Sequence, residues 1–208
     1  MAMESTQERG SRPRTTGILL FDDVEELDFV GPLEVFSAAG AKFEDDRVLT
    51  IAPSEGVVRC ANGLRVLPDS DFDRAPPLDV LLVPGGIGTR REMENPAMLD
   101  WIRQASSGCA WVTSVCTGSL LLHAAGIAKG RRVTTHWAVV ETLREMGDIT
   151  VLDNARYVRD GNLVTAAGVS AGIDMSLWVV GQIYGVDHAR SVQRWIEYDP
   201  APPYTADV

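Results

Sequence analysis

The sequence is short of positive charge and has no long apolar segment. Its 208 residues include 19 lysines and arginines against 29 aspartates and glutamates, which gives a formal net charge of −10. An acidic surface repels phosphate backbones and anionic lipid headgroups, so we expect neither nucleic acid nor a membrane as a partner. The chain has no run of about 18 consecutive apolar residues, which excludes a transmembrane helix. The composition is that of an ordinary globular protein.

Cysteine is also scarce. The three cysteines, Cys60, Cys109 and Cys116, are not spaced like a metal-binding pair, so no metal site is predicted. A reducing, cytoplasmic location fits this usage best. Residues 1–15 are polar and lack the apolar stretch of a secretory signal. We expect them to form a disordered tail that precedes a single domain over residues 16–208.

Apolar runs alternate with helical patterns along the chain. Continuous apolar runs at 17–21 and 80–83 are typical of strands buried on both faces of a parallel sheet. Residues 47–52 predict another strand, and residues 110–115 a further buried one. Hairpins are predicted at Asn62-Gly63 and Asp160-Gly161. Two helices are predicted to begin near Pro32, which stands in a first turn, and at Asn95-Pro96. Further helices are predicted over 117–125, 137–146, 177–184 and 189–196. This alternation predicts an α/β fold, a doubly wound, mostly parallel sheet with helices on both faces and a small hairpin.

Three features lie where predicted strands end. They are the loop containing Asp28, the Pro84-Gly85-Gly86 turn and the segment from Ser114 to Gly118. In doubly wound sheets, ligands bind beyond the carboxyl ends of the strands. The three features are therefore predicted to meet at one edge of the sheet.

Cys116 lies between a predicted strand and a predicted helix. Such a junction has the form of a nucleophile elbow, in which a tight turn lifts the nucleophile above the sheet. A thiol at a helix N-terminus is expected to have a lowered pKa and hence to be reactive. The alternative is a buried, inert cysteine. Cys60 and Cys109 lack this setting, and for them the packed role is predicted.

Two further groups could assist the cysteine. The N–H groups of Gly86 and Thr117 could form an oxyanion hole, although the glycine turn could also be only a tight turn. Asp28 has apolar neighbours, so its carboxyl group is predicted to be partly desolvated, with a raised pKa and the ability to exchange a proton. The alternative role for Asp28 is that of a helix N-cap.

The three histidines give a weaker signal. His136, at a predicted strand-to-helix junction, could approach the site and supply a cysteine–histidine pair. His123 and His188 fall within or near predicted helices, where packed or solvated roles are expected.

On these motifs the chain resembles the ThiJ/PfpI superfamily. The resemblance spans about residues 16–204. Its strongest pieces are LDFVGP (27–32), VPGG (83–86), TSVCTGSL (113–120), TTHW (134–137), VRDGNL (158–163), AGID (171–174) and EYDPAPP (197–203).

The resemblance implies a flavodoxin-like fold, of the kind shared with class I glutamine amidotransferases, in a homodimer that uses no metal or organic cofactor. It implies Cys116 as nucleophile, Asp28 as its acidic partner and Thr117 beside the thiol. The peptidase-like branch has histidine directly after the cysteine, and the glyoxalase and deglycase branch usually has glutamate in place of Asp28. Both departures favour the branch that hydrates isocyanides. A cysteine-dependent hydro-lyase is therefore expected, which forms an N-substituted formamide through a Cys116 thioimidate.

Other functions occur on similar domains. One is glyoxalase or deglycase activity, another is a thiol-based stress sensor, and a third is the ligand-binding half of AraC-type transcription regulators. A regulator would need a DNA-binding region after the domain, whereas this acidic chain ends at Val208. An enzyme acting on a small molecule is therefore the prediction.

Overall fold

The computed structural model describes residues 13–43 and 46–200. The strands are β1 Thr15–Leu19, β2 Arg47–Ala52, β3 Val58–Arg59, β4 Arg65–Val66, β5 Ser70–Asp71, β6 Val80–Val83, β7 Trp111–Val115, β8 Arg132–Val133, β9 Thr150–Val151, β10 Tyr157–Asp160 and β11 Leu163–Ala166. The α-helices are α1 Glu26–Gly40, α2 Thr89–Glu92, α3 Pro96–Ser106, α4 Gly118–Ala124, α5 Val140–Glu145, α6 Ala171–Tyr184 and α7 Val186–Trp195. A 3₁₀-helix, Trp137–Val139, precedes α5.

Seven strands form the main sheet in the order β10-β11-β7-β6-β1-β2-β5. All neighbours are parallel except β10 and β11, which form the predicted antiparallel hairpin. The other predicted hairpin, β3–β4, is a separate antiparallel pair, and β8–β9 is a small parallel one. The predicted mostly parallel α/β sheet is confirmed. Because β1, β6, β7 and β11 run in the same direction, their carboxyl ends share one edge.

The core lies on both sides of this sheet. Every residue of β6 and of β11 is buried. Since successive side chains of a strand point to opposite faces, both faces must be covered. Helix α1 packs with α6 and α7, and α3 packs with α4. Helix α6 approaches β7 closely at Gly172, where a Cβ would lie 2.8 Å from a methyl group of Val115.

Helix α1 differs from its prediction. It begins at Glu26, so Pro32 lies inside the helix rather than in its first turn. Proline lacks the N–H that would bind the carbonyl group four residues earlier, but this costs one hydrogen bond without ending the helix here. The acidic side chains of Glu26 and Asp28 stand in the first turn, where they complement the positive end of the helix dipole. Asp28 is therefore held by a helix and not by a loop.

The chain ends are only partly described. Most of the predicted tail lies outside the described residues, and Thr15, which was included in it, is the first residue of β1. Residues 201–208 of the predicted domain are also outside. No helix in the described ranges is both long and apolar enough to cross a lipid bilayer.

Candidate active site

Cys116 occupies the turn between β7 and α4. Its φ of +56° lies in the left-handed region, which residues other than glycine rarely adopt. Its N–H donates to the carbonyl oxygen of Ala167 at 2.6 Å. Its own carbonyl oxygen accepts hydrogen bonds from the hydroxyl groups of Thr135 at 3.0 Å and Ser119 at 3.2 Å. The predicted strand-to-helix elbow is confirmed.

Two glycines bring the neighbouring strand ends close to this elbow. A Cβ on Gly118 would lie 2.0 Å from the carbonyl oxygen of Val83, so only glycine allows α4 to start against β6. A Cβ on Gly85 would lie 2.5 Å from the nitrogen of Thr117 and 2.8 Å from Oδ2 of Asp28. The three strand-end features of the sequence therefore meet in space, as predicted.

Asp28 is fully buried in the first turn of α1. Its Oδ2 accepts a hydrogen bond from the N–H of Gly85 at 2.9 Å, while Oδ1 has no standard hydrogen-bond partner among the described residues. Glu25 occupies the N-cap position, so the capping alternative for Asp28 is wrong. Burial raises the pKa of Asp28 to about 7, although the Gly85 N–H opposes this rise. The predicted desolvation and raised pKa are confirmed.

The sulfur of Cys116 is protonated at rest. Burial, and after it the negative charge of Asp28, raise the pKa of the Cys116 thiol to about 12. The N–H groups of Thr117 and Val169 face the sulfur and lower this pKa, but by less. The predicted lowering of the thiol pKa is wrong because only 7% of Cys116 is exposed and a carboxylate lies beside it.

Cys116 and Asp28 nevertheless form a pair. Each shifts the pKa of the other through charge or a side-chain hydrogen bond. This contact is looser than a standard hydrogen bond, since Oδ1 has no partner at ordinary distance and angle. The Asp28 carboxylate is thus an acceptor within reach of the thiol proton, and a small movement of the thiol would complete the bond.

Gly86 and Thr117 lie close together, but they bind each other instead of presenting two free N–H groups to a ligand. The N–H of Gly86 donates to Oγ1 of Thr117 at 3.0 Å, and the hydroxyl group of Thr89 donates to the carbonyl oxygen of Gly86 at 2.8 Å. The side chain of Thr117 therefore faces the glycine turn while its N–H faces the sulfur. The oxyanion hole from these two N–H groups stays a prediction, and it requires Gly86 to exchange its present partner.

Two contributors were not predicted. Gly85 supplies the N–H that binds Asp28. Val169 supplies an N–H to the sulfur from a loop with a φ of +35°, directly after β11. The rule that sites form at strand ends also applies to this loop, but it becomes useful only when β11 is known to lie beside β7.

The histidines serve other purposes. The ring of His136 packs on Gly168, where a Cβ would lie 2.7 Å from Cδ2, and its Nδ1 caps the 3₁₀-helix by accepting a backbone N–H. No hydrogen bond joins His136 to Cys116 in the described part of the chain. His123 and His188 bind backbone carbonyl oxygens at 2.7 and 2.9 Å, so their packed roles are confirmed.

The other two cysteines are packed as predicted. Cys60 and Cys109 are buried, and burial raises their pKa values to about 11 and about 12. Across residues 13–43 and 46–200, no group of three or more His, Cys, Asp or Glu side chains is arranged to hold a metal ion.

Comparisons with known proteins agree with this fold. The family model described as the DJ-1/PfpI family matches residues 15–182. The isonitrile hydratase of Pseudomonas putida is 45% identical over 188 residues, which cover 90% of this chain and 80% of that protein. A crystal structure of a ThiJ/PfpI family protein from Pseudomonas syringae superposes with a TM-score of 0.86 at 31% identity, covering 100% of this chain and 86% of that one. The HTH-type transcriptional regulator GbdR of Pseudomonas aeruginosa is 26% identical over 90% of this chain, which spans 51% of the regulator.

Proposed function

Because the chain belongs to the DJ-1/PfpI family, we propose that it hydrates isocyanides to N-substituted formamides through Cys116 and Asp28. The observation that carries this proposal is the buried pair itself, a carboxyl group with a pKa of about 7 beside a protonated thiol. Isonitrile is another word for isocyanide, so the name of the Pseudomonas putida relative supports the same reaction. The substrate is a small, uncharged molecule.

The first half of the reaction forms a covalent intermediate. The Asp28 carboxylate accepts the thiol proton while the sulfur of Cys116 attacks the terminal carbon of R–N≡C. Asp28 then delivers that proton to the same carbon. An S–H bond has been broken, and C–S and C–H bonds have formed, which gives the thioimidate R–N=CH–S–Cys116. The raised pKa of Asp28 suits it to both proton transfers near neutral pH.

The second half consumes water. Asp28, again a carboxylate, takes a proton from water as the oxygen adds to the thioimidate carbon, and it passes this proton to the nitrogen. The C–S bond then breaks as the hydroxyl group becomes the formamide carbonyl, and its proton returns to the sulfur through Asp28. The product is R–NH–CHO, and the thiol is regenerated.

Backbone N–H groups support the charged species of this cycle. Those of Thr117 and Val169 face the sulfur and stabilise it as a thiolate during attack and departure. The Gly86 N–H is assigned to the oxygen that develops in the second half. To bind that oxygen, the Gly86 N–H must first leave Oγ1 of Thr117. Until water has added, the Thr117 hydroxyl group holds the Gly86 N–H in place.

The reaction is tested by following formamide production from cyclohexyl isocyanide with four proteins. The wild type is expected to turn over, and Cys116→Ala and Asp28→Asn are expected to lose at least about 1000-fold in kcat. Cys109→Ala, which alters an equally buried cysteine outside the pair, is the matched control and should stay within about twofold. Full turnover by a folded Cys116→Ala protein would refute the assignment of Cys116 as the nucleophile.

The alternatives give different outcomes in the same experiment. Turnover of methylglyoxal without turnover of isocyanide would indicate the glyoxalase class. Selective oxidation of Cys116 by peroxide would indicate a thiol sensor. A protonated, buried thiol argues against this, because peroxide reacts with the thiolate. Isocyanide binding with no formamide would indicate a ligand-binding domain like that shared with the regulator.

We also propose a cytoplasmic homodimer. Leu27 and Val30, which flank Asp28 in sequence on α1, are 40% and 38% exposed, and a second copy would cover them. A reducing compartment would keep the three free cysteines reduced. Sedimentation velocity at micromolar concentration should give a dimer, and a monomer would contradict this assembly.

A further inference from the structure

The Thr134–Trp137 segment has no part in the proposed reaction, yet it touches the elbow. Thr135 is 1% exposed, and its hydroxyl group donates to the carbonyl oxygen of Cys116 at 3.0 Å. The segment begins directly after β8 and ends at the first residue of the 3₁₀-helix, far along the chain from the elbow. It therefore ties Cys116 to a separate part of the fold.

The elbow needs such a tie because its backbone is strained. A non-glycine residue in the left-handed region keeps that conformation only when its surroundings fix it. Ser119 also binds the Cys116 carbonyl, but it stands on the helix that follows the elbow and moves with it. Thr135 is anchored outside the elbow, so its hydrogen bond resists rotation of the whole turn.

The same segment holds the loop on the other side of the sulfur. The N–H of Thr134 donates to Oγ1 of Thr165 in β11 at 2.8 Å. The His136 ring packs directly on Gly168. Val169, the next residue, supplies one of the two N–H groups that face the sulfur. One short segment thus contacts both elements that surround the nucleophile.

We propose that Thr135 is a positioning residue, which holds the elbow so that the Cys116 sulfur stays between the Thr117 and Val169 N–H groups and beside Asp28. Without its hydroxyl group the turn relaxes and the sulfur leaves these donors. This inference rests on the proposed function only in treating Cys116 as the reactive group. Its test measures thiol reactivity, so the result can be interpreted even if the protein does not hydrate isocyanides.

The experiment measures alkylation of Cys116 by iodoacetamide from pH 6 to 10, with peptide mass spectrometry to separate it from the other cysteines. This range lies below the thiol pKa of about 12, so the rate follows the small thiolate fraction. Thr135→Val should slow alkylation about 3- to 10-fold across the range, the effect of one lost hydrogen bond, because the thiolate loses its donors. Thr135→Ser keeps the hydroxyl group and should restore the wild-type rate across the same pH range.

Thr134→Val is the matched control. Thr134 is equally buried, and its hydroxyl group binds the carbonyl oxygen of Ala155 at 3.4 Å rather than the elbow. Its alkylation profile should stay within about twofold of the wild type. An unchanged or faster profile for Thr135→Val, or an equal loss in Thr134→Val, would overturn the proposal. If Thr135→Val does not fold, Thr135→Ala replaces it, and a profile equal to that of Thr135→Ser would be equally damaging.

Discussion

Replacing Asp28 by asparagine should stabilise the protein at alkaline pH while it removes activity. Asparagine keeps the size of the side chain and an oxygen that can accept the Gly85 N–H. It removes the carboxylate, which is fully buried and has no cationic partner within residues 13–43 and 46–200. The wild type bears the cost of that buried charge whenever Asp28 is ionised.

The sign and size of the effect follow from the pKa. Burial raises the pKa of Asp28 from 3.8 in the unfolded chain to about 7 in the fold. The folded state thus binds more protons between these values, so the wild type loses stability as the pH rises from about 4 to about 7. One pKa unit corresponds to about 1.4 kcal/mol, which gives a total cost of about 4 kcal/mol above pH 8. About 2 to 3 kcal/mol of this develops between pH 5 and pH 8.

The assay is urea unfolding of wild type and Asp28→Asn at pH 5 and pH 8. All other titrating groups are shared, so their effects cancel in the difference between the two proteins. The stability of Asp28→Asn relative to wild type should increase by about 2 to 3 kcal/mol from pH 5 to pH 8. A difference that does not change with pH would show that Asp28 does not titrate with a raised pKa, and the proton-transfer role would fall with it.

Two other outcomes are expected. The kcat/KM of isocyanide hydration, which reports ionisations of the free enzyme, should rise with pH through about 7, because Asp28 must be ionised to accept the thiol proton of Cys116. Initial rates at low substrate concentration from pH 5.5 to 9 test this, and a flat or falling profile would contradict it. Gly118→Ala should lose more than about 3 kcal/mol in thermal or urea unfolding, because its Cβ would lie 2.0 Å from a carbonyl oxygen of β6. Gly108→Ala, where a Cβ meets nothing within 4 Å, should stay within about 0.5 kcal/mol, and equal losses would refute the steric argument.

Local sequence patterns were sufficient for the backbone of the site. The continuous apolar runs predicted β1 and β6, since strands buried on both faces are rich in apolar residues. Small residues around Cys116 predicted the elbow, because only glycine at 118 lets the helix begin against the next strand. These signals depend on neighbours in sequence, so they can be interpreted without the fold.

The start of α1 was harder to predict from the sequence. Pro32 marked a plausible first turn, but the helix extends six residues further towards the N-terminus. Asp28 and Phe29 are buried in the turns that precede Pro32, so tertiary packing contributes to this boundary. The same packing determines whether Asp28 is a cap or a buried acid.

The sequence by itself determined the sheet, the elbow and the group of residues that meets at one sheet edge. Only the tertiary structure decided how those residues behave chemically. The thiol pKa rises instead of falling, the Gly86 N–H is already bound, and the N–H of Val169 faces the sulfur from a loop that is distant in sequence. Proton affinity depends on how much water and which charges surround an atom, and distant segments of the chain supply those surroundings only once it has folded.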